Sequence, residues 1–452
     1  MSRFLVVLAC LFLSTAAVAA DQELRLQGSN TIGAKLAPAL ARAWLQAKGY
    51  GDIKEQETAP EEERVVGRNG RGDTLAVVIR AHGSTTAFSG LLAKEADVGM
   101  ASRPIKDKEV VELADRGAMN RPACEHVVGL DGIAVIVNPA NPIDTLDTNT
   151  IRDIFSGRIT KWSQLGGPAR PIHVYARDDK SGTYDTFKHL VLSKEAPLTA
   201  AAKRFESNAD LSDSVAADAD GIGFVGLPYV RQSKALAVSE QGTRAIRPDA
   251  FSVATEDYVL ARRLFLYVPS APANPLAQEF ASFALADHGQ TVVEQVGFVS
   301  QHIIAGNMVA ADDAPEEYRD LTRNARRLSL NFRFLSGSAE LDSKAHRDVE
   351  RLLSYMARSE FSGSRLLLLG FADHNEVMPY HSLELSVQRV DTVADLLIRQ
   401  GVEPARVRGY GSALPVASND NNVGRQKNRR VEVWISSPDT SALATPWTIS
   451  SR

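Results

Sequence analysis

The rhythm of apolar and polar positions divides the chain into unlike stretches. Between residues 24 and 304 short apolar runs alternate with segments of helical spacing, the pattern of an α/β domain. Strands are expected at 24–27, 75–79, 132–138, 172–176, 223–225 and 264–268, and helices at 34–47, 151–155 and 277–286. From 310 to 327 the chain turns acidic and Ala-rich and then basic, with Pro315 inside it; this reads as a connector, helical from Glu316 onward. A smaller α+β unit is expected after it. Its pattern is a strand at 328–334, a helix with Ala345, Val349, Leu352, Leu353 and Met356 on one face, and a strand at 366–370. A helix marked by Leu385, Val390, Val393, Ala394 and Leu397 and strands at 406–410 and 431–435 complete it. Residues 437–452, rich in Ser, Thr and Pro, read as a tail.

The first twenty residues follow a different rule. Arg3 precedes an apolar run at 4–13 and then small residues ending at Ala19 and Ala20, the pattern of a secretory signal peptide. The run is too short to span a bilayer and no later stretch reaches the required length, so the mature protein is expected to be soluble. Val7-Leu8-Ala9-Cys10 loosely resembles a lipoprotein box, which leaves an anchored form as the alternative. Loss of Cys10 with the signal leaves Cys124 without an intrachain partner, so packed cores must supply stability. The length suits two or three domains, and a net charge of −4 gives no electrostatic reason to expect nucleic acid.

Candidate chemistry in the larger unit lies in three loops that precede helical sequence: Gly28-Ser29-Asn30-Thr31, Gly83-Ser84-Thr85-Thr86 and Ser181-Gly182-Thr183. Helix N-termini carry unpaired N–H groups and partial positive charge; Gly permits close approach and hydroxyls add directed donors. Together such loops can cradle a tetrahedral oxyanion. Arg177, four residues before Ser181, can add two charge-assisted bonds. Taken singly, each loop is more readily a helix cap and Arg177 a surface charge.

In chain order, GSNT (28–31), ADVGMASRP (96–104), DGIAVIVNP (131–139), IFSGRITKW (154–162), RDDKSGT (177–183) and GIGF (221–224) resemble the periplasmic phosphate-binding proteins of ABC importers. The resemblance covers nearly all of residues 24–304. It implies two α/β lobes of the type II periplasmic binding protein joined by crossing strands, with phosphate dehydrated in the cleft between them. It nominates Thr31 and Ile32 from the first loop, Ser84 from the second, Ser102, and Arg177, Ser181, Gly182 and Thr183 from the third. Ser102 marks a departure, because well-known members of that family carry there an Asp that accepts the proton of hydrogen phosphate and repels sulfate. A hydroxyl can donate or accept, so sulfate and organic phosphates stand behind phosphate as alternatives.

The smaller unit offers GFAD (370–373) after a strand, LSVQR (385–389) in a helix and NDNNVGRQKNRRVE (419–432) near its end. An Asp at a strand end and an Arg on the next helix can hold the ammonium and carboxylate of a zwitterionic amino acid, or simply form an intradomain salt bridge. These segments resemble the OmpA-like peptidoglycan-binding domain over residues 328–435, which implies that Asp373 and Arg389 hold the diaminopimelate of a stem peptide. Arg425 matches the motif as well, while Arg429 and Arg430 are expected to support the fold. The loop at 375–381 is one residue longer than in the family, and Ser382 stands where the family has Asn.

The expected organisation is a signal peptide (1–20), a two-lobed solute-binding domain (21–309), a linker (310–327), an OmpA-like domain (328–436) and a tail (437–452). The expected function is non-enzymatic capture of inorganic phosphate in the periplasm, by a receptor kept at the peptidoglycan or outer membrane; an ABC permease is a candidate partner that the sequence does not decide. No metal or cofactor is expected. Two alternatives are an envelope adhesion protein whose lobes recognise a partner, and a phosphoester hydrolase using Ser181 or another loop Ser; near Ser181 only His173 and His189 lie close in sequence.

Overall fold

A computed structural model describes residues 21–436 apart from 180 and 375–380; the expected signal peptide and tail lie outside the described residues. Among these, no helix is long and apolar enough to cross a membrane.

The larger unit is built on one curled mixed sheet. Its strand order is Gly51–Ala59, Glu62–Arg68, Thr74–Arg80, Asp21–Gly28, Val98–Ala101, Ala261–Tyr267, Glu125–Val137, Gly221–Gly226, His173–Arg177 and Lys203–Phe205. The run from Gly51 to Ala101 belongs to one lobe, and Gly221–Gly226, His173–Arg177 and Lys203–Phe205 to the other. Glu125–Val137 passes between them. Its first half pairs with Ala261–Tyr267, whereas Ile133 to Val137 pair with Gly221–Gly226. A strand covered on both faces has no side for water, which is why every residue of it after Glu125 is buried.

Each lobe has its own core. In the first, Leu36–Ala47 turns Leu40, Ala41, Trp44 and Leu45 inward at helical spacing, and Trp44 meets Phe280 edge to face at 5.4 Å. Pro38 lies in the first turn of that helix, where a missing N–H costs nothing. In the second lobe Phe187 stacks on Phe224 at 4.0 Å, with Phe155 against both. The expected helix at 34–47 is present as Leu36–Ala47, and a separate single turn, Asn30–Gly33, precedes it. The hairpin Gly51–Ala59 and Glu62–Arg68 was not expected, because its polar, largely exposed outer strand carries no period-two apolar signal.

The smaller unit is a five-stranded sheet, ordered Ala305–Gly306, Ala325–Arg333, Arg430–Ser436, Arg365–Phe371 and Arg406–Gly409. Helices Ser343–Met356 and His381–Arg399 cover one face through Leu352, Val390, Val393 and Leu397. The other face is closed by Tyr318 of the helix Glu316–Thr322, which packs on Leu367, Leu369 and Trp434. Much of the stretch read as a connector thus folds onto this sheet; the strand expected at 328–334 runs from Ala325 to Arg333, and Ala305–Gly306 pairs with it.

Candidate functional site

Where the two lobes meet, the first two loops are stitched together by backbone bonds. Gly83 N donates to Gly28 O at 2.7 Å and Ser29 N to Met100 O at 2.8 Å. Gly28 has φ +144°, and a Cβ there would lie 1.9 Å from Met100 O, so no other residue fits. Gly83, with φ +98°, supplies the turn that opens the helix Ser84–Ala93.

This stitching gathers hydroxyls around Ser102. Ser29 Oγ donates to Ser102 Oγ at 3.1 Å, Ser84 Oγ lies 3.2 Å from it, and Ser102 N donates to Ser84 Oγ at 3.0 Å. Ser29, Ser102 and Thr31 are buried. The Ile32 side chain is packed in the core of the lobe, so only its backbone N–H can face a ligand.

The opposite wall comes from the helix Gly182–Leu190. Ser181 caps it, accepting from Tyr184 N at 3.3 Å, and Thr183 lies in its first turn. The walls touch: a Cβ on Gly182 would sit 2.7 Å from Thr31 Cα, and Thr31 Oγ1 donates to Gly182 O at 3.3 Å. Arg177, buried at the end of its strand, is fixed by carbonyls, donating to Phe205 O at 3.3 Å and Glu206 O at 2.6 Å. Burial lowers its pKa from the usual arginine value. A cation desolvated without a carboxylate in that set gains from an anion.

Arg262 was missed from sequence. It lies on the strand Ala261–Tyr267 and reaches into the same contact, donating to Thr31 Oγ1 at 2.7 Å and Gly182 O at 3.2 Å, with Asp131 at 3.3 Å behind it. Its signal was the Arg262-Arg263 pair inside an apolar strand, two charges where none should be buried unpaired. For the hydrolase alternative, His189 sits at the opposite end of the helix Gly182–Leu190 from Ser181 and lines a cavity with Ser102 and Arg262. His173 bonds Asp218 at 2.7 Å, at the far end of the strand from Arg177, and Ser181 is occupied as a cap. Among the described residues no cluster of His, Cys, Asp or Glu could hold a metal.

The smaller unit buries Asp373 just after the strand Arg365–Phe371 and Arg389 in the helix His381–Arg399. Asp373 is ion-paired with Arg429 at 3.0 Å. Arg429, expected only to support the fold, thus stands on the expected site. Arg389 donates twice to Ser338 O, at 3.2 and 3.0 Å, and lies over the Phe334 ring. Arg425, on the helix Asn422–Asn428, donates to Asn419 O at 2.8 Å and to Asn422. Residues 375–380 of the longer loop lie outside the described residues.

Comparison with known proteins divides the chain along the same lines. Residues 64–288 match the model of the PBP superfamily domain and residues 333–429 that of the OmpA family. The phosphate-binding protein PstS of Staphylococcus aureus (strain bovine RF122 / ET3-1) is 31% identical over 227 residues, 48% of this chain and 67% of that protein. The crystal structure of a possible phosphate binding protein from Planctomyces limnophilus DSM 3776 superposes with a TM-score of 0.51 at 23% identity. It covers 67% of this chain and 96% of that one, and shares the two-lobed fold.

Proposed function

This chain belongs to the family of the phosphate-binding protein PstS, and from that premise we propose that its larger unit captures phosphate without chemical conversion between the two lobes. The observation that carries the reading is the cradle around Ser102. The hydroxyls of Ser29, Ser84 and Ser102 gather there, Thr31 of the same lobe meets Gly182 of the other, and no carboxylate stands at position 102. Thr31, the Ile32 amide, Ser84, Ser102, Ser181, Gly182 and Thr183 would supply neutral donors and Arg177 the charge. Neutral donors from loops and helix N-termini suit a dianion because they bind it without adding counterions that must themselves be desolvated.

The smaller unit is read as a wall anchor, with Asp373, Arg389, Arg425 and Arg429 holding the zwitterionic end of a diaminopimelate stem peptide. The leader at 1–20 would deliver the protein to the periplasm, where retention at the peptidoglycan and outer membrane and supply of an ABC permease complete the proposal. Calorimetric titration of the mature full chain with phosphate and sulfate tests the first unit. Micromolar or tighter binding of phosphate is expected, and heat from neither anion would overturn the reading.

A further inference from the structure

Motion between the lobes must pass through the two strands that join them. Arg262 pairs with Asp131 and Ala261 with Gly132 where these strands change from one lobe to the other. Tyr258 Oη also donates to Ile133 O at 2.7 Å, so the segment before the returning strand belongs to the same hinge.

The smaller unit is seated on this segment. Lys427 Nζ donates to the carbonyls of Tyr258 at 2.8 Å and Val259 at 3.0 Å, and Asn331 Nδ2 to Thr255 O at 2.7 Å. Arg327 is ion-paired with Asp257 at 2.8 Å, and Arg263 with Asp342 at 2.7 Å. All these side chains are buried except that of Arg263, which is 10% exposed. Glu256, in their midst, has φ +61°, a conformation an L residue holds only when its surroundings dictate it. The contact also spans both lobes: Arg121 of the first meets Glu340, and Glu240 of the second accepts from Ser418 N at 2.6 Å.

Buried ion pairs and carbonyls that have lost water keep their partners, because separation leaves each desolvated and alone. A hinge bend would displace the backbone at 258–262 against Lys427 or pull one lobe from the smaller unit. We propose that the smaller unit is a latch on the hinge, in which Lys427 and the Arg263–Asp342 pair hold the lobes closed over their anion and set how slowly it leaves. The anion part rests on the function proposed above; the latch does not.

Two measurements on the full chain separate them: hydrogen exchange at the amides of 130–133 and 258–263, and phosphate release by stopped flow against a phosphate trap. Lys427→Met is expected to lose protection at those amides and to release phosphate at least tenfold faster. Because that variant removes a buried group and can unfold, the double variant Glu240→Gln, Glu340→Ala, which alters only one hydrogen bond and one exposed pair, serves as the second arm with a release two- to fivefold faster. A merely structural role would lower the melting temperature and leave both readouts of the folded protein unchanged, which would overturn the latch. A wild type that takes up no phosphate would remove the anion reading, and hinge exchange alone would then decide the latch.

Discussion

The two sites handle charge in opposite ways. The cradle around Ser102 is lined by the hydroxyls of Ser29 and Ser84, and Arg177, proposed to face the same anion, leans on carbonyls. The site in the smaller unit has its carboxylate already neutralised, Asp373 against Arg429, with both buried. In the first, Arg262 is backed by Asp131 but the hydrogen bonds of Arg177 go to carbonyls alone, so substitution of Arg177 should change affinity and spare stability. In a site of the second kind each charge is also part of the core.

The comparison is put under most strain by Asp373→Ala. Removing one member of a buried ion pair typically costs about 3–5 kcal/mol, so the urea midpoint should fall steeply and pelleting with diaminopimelate-type peptidoglycan should be lost. Pelleting like wild type by the folded variant would show that the wall site lies elsewhere. Arg177→Ala tests the other side. Phosphate affinity is expected to drop by about 2–5 kcal/mol in calorimetry, as for other charged partners of a buried ion. The thermal midpoint should move little. A large stability loss with unchanged affinity would reverse the contrast.

Acid should act on the junction. Burial alone would raise the pKa of Glu256, but the charges of Arg263, Lys344 and Arg333 and a hydrogen bond from Arg263 outweigh it and hold the group down to about 2. The folded pKa lies below the unfolded value, so the stabilisation is complete above about pH 4.5 and is lost as pH falls from there toward 2. The contribution is on the order of 3 kcal/mol. Urea denaturation between pH 6 and 2.5 should show this loss, and Glu256→Gln should flatten that part of the profile.

Local features were legible from the chain. The Gly-Ser loops, the run at 132–138 and the helical stripe from Val390 to Leu397 announce themselves within a few residues, because turn chemistry and periodicity are local. What was not legible depends on distant partners. Arg262 reads as an oddity in a strand until Thr31 and Gly182 arrive beside it. Arg429 reads as one of four basic residues in a motif until the fold sets it on Asp373. Lys427, in that same run, serves neither site directly; its partners are carbonyls 166 to 169 residues away. The polar hairpin from Gly51 to Arg68 escaped for the converse reason, since a strand mostly exposed along its outer edge has no apolar face to betray it.

The smallest expected effect concerns Ser102, and it asks whether a site built from neutral donors can tell two dianions apart. Hydrogen phosphate carries a proton that needs an acceptor, whereas sulfate carries none. Ser102 Oγ can accept that proton or donate to sulfate, so it penalises neither anion. In Ser102→Asp the new carboxylate would lie near the hydroxyls of Ser29 and Ser84, which now stand 3.1 and 3.2 Å from Ser102 Oγ and can turn to donate to it. Facing sulfate, the same carboxylate meets a second charge with no proton between them. Competition by sulfate should therefore weaken about tenfold, roughly 1.4 kcal/mol, while phosphate affinity stays within a factor of about three. Ser102→Ala, which removes the hydroxyl without adding charge, should weaken both anions alike. If Ser102→Asp also weakened both alike, the proton of hydrogen phosphate would not be read at this position. Discrimination would then have to come from the arginine side of the cleft.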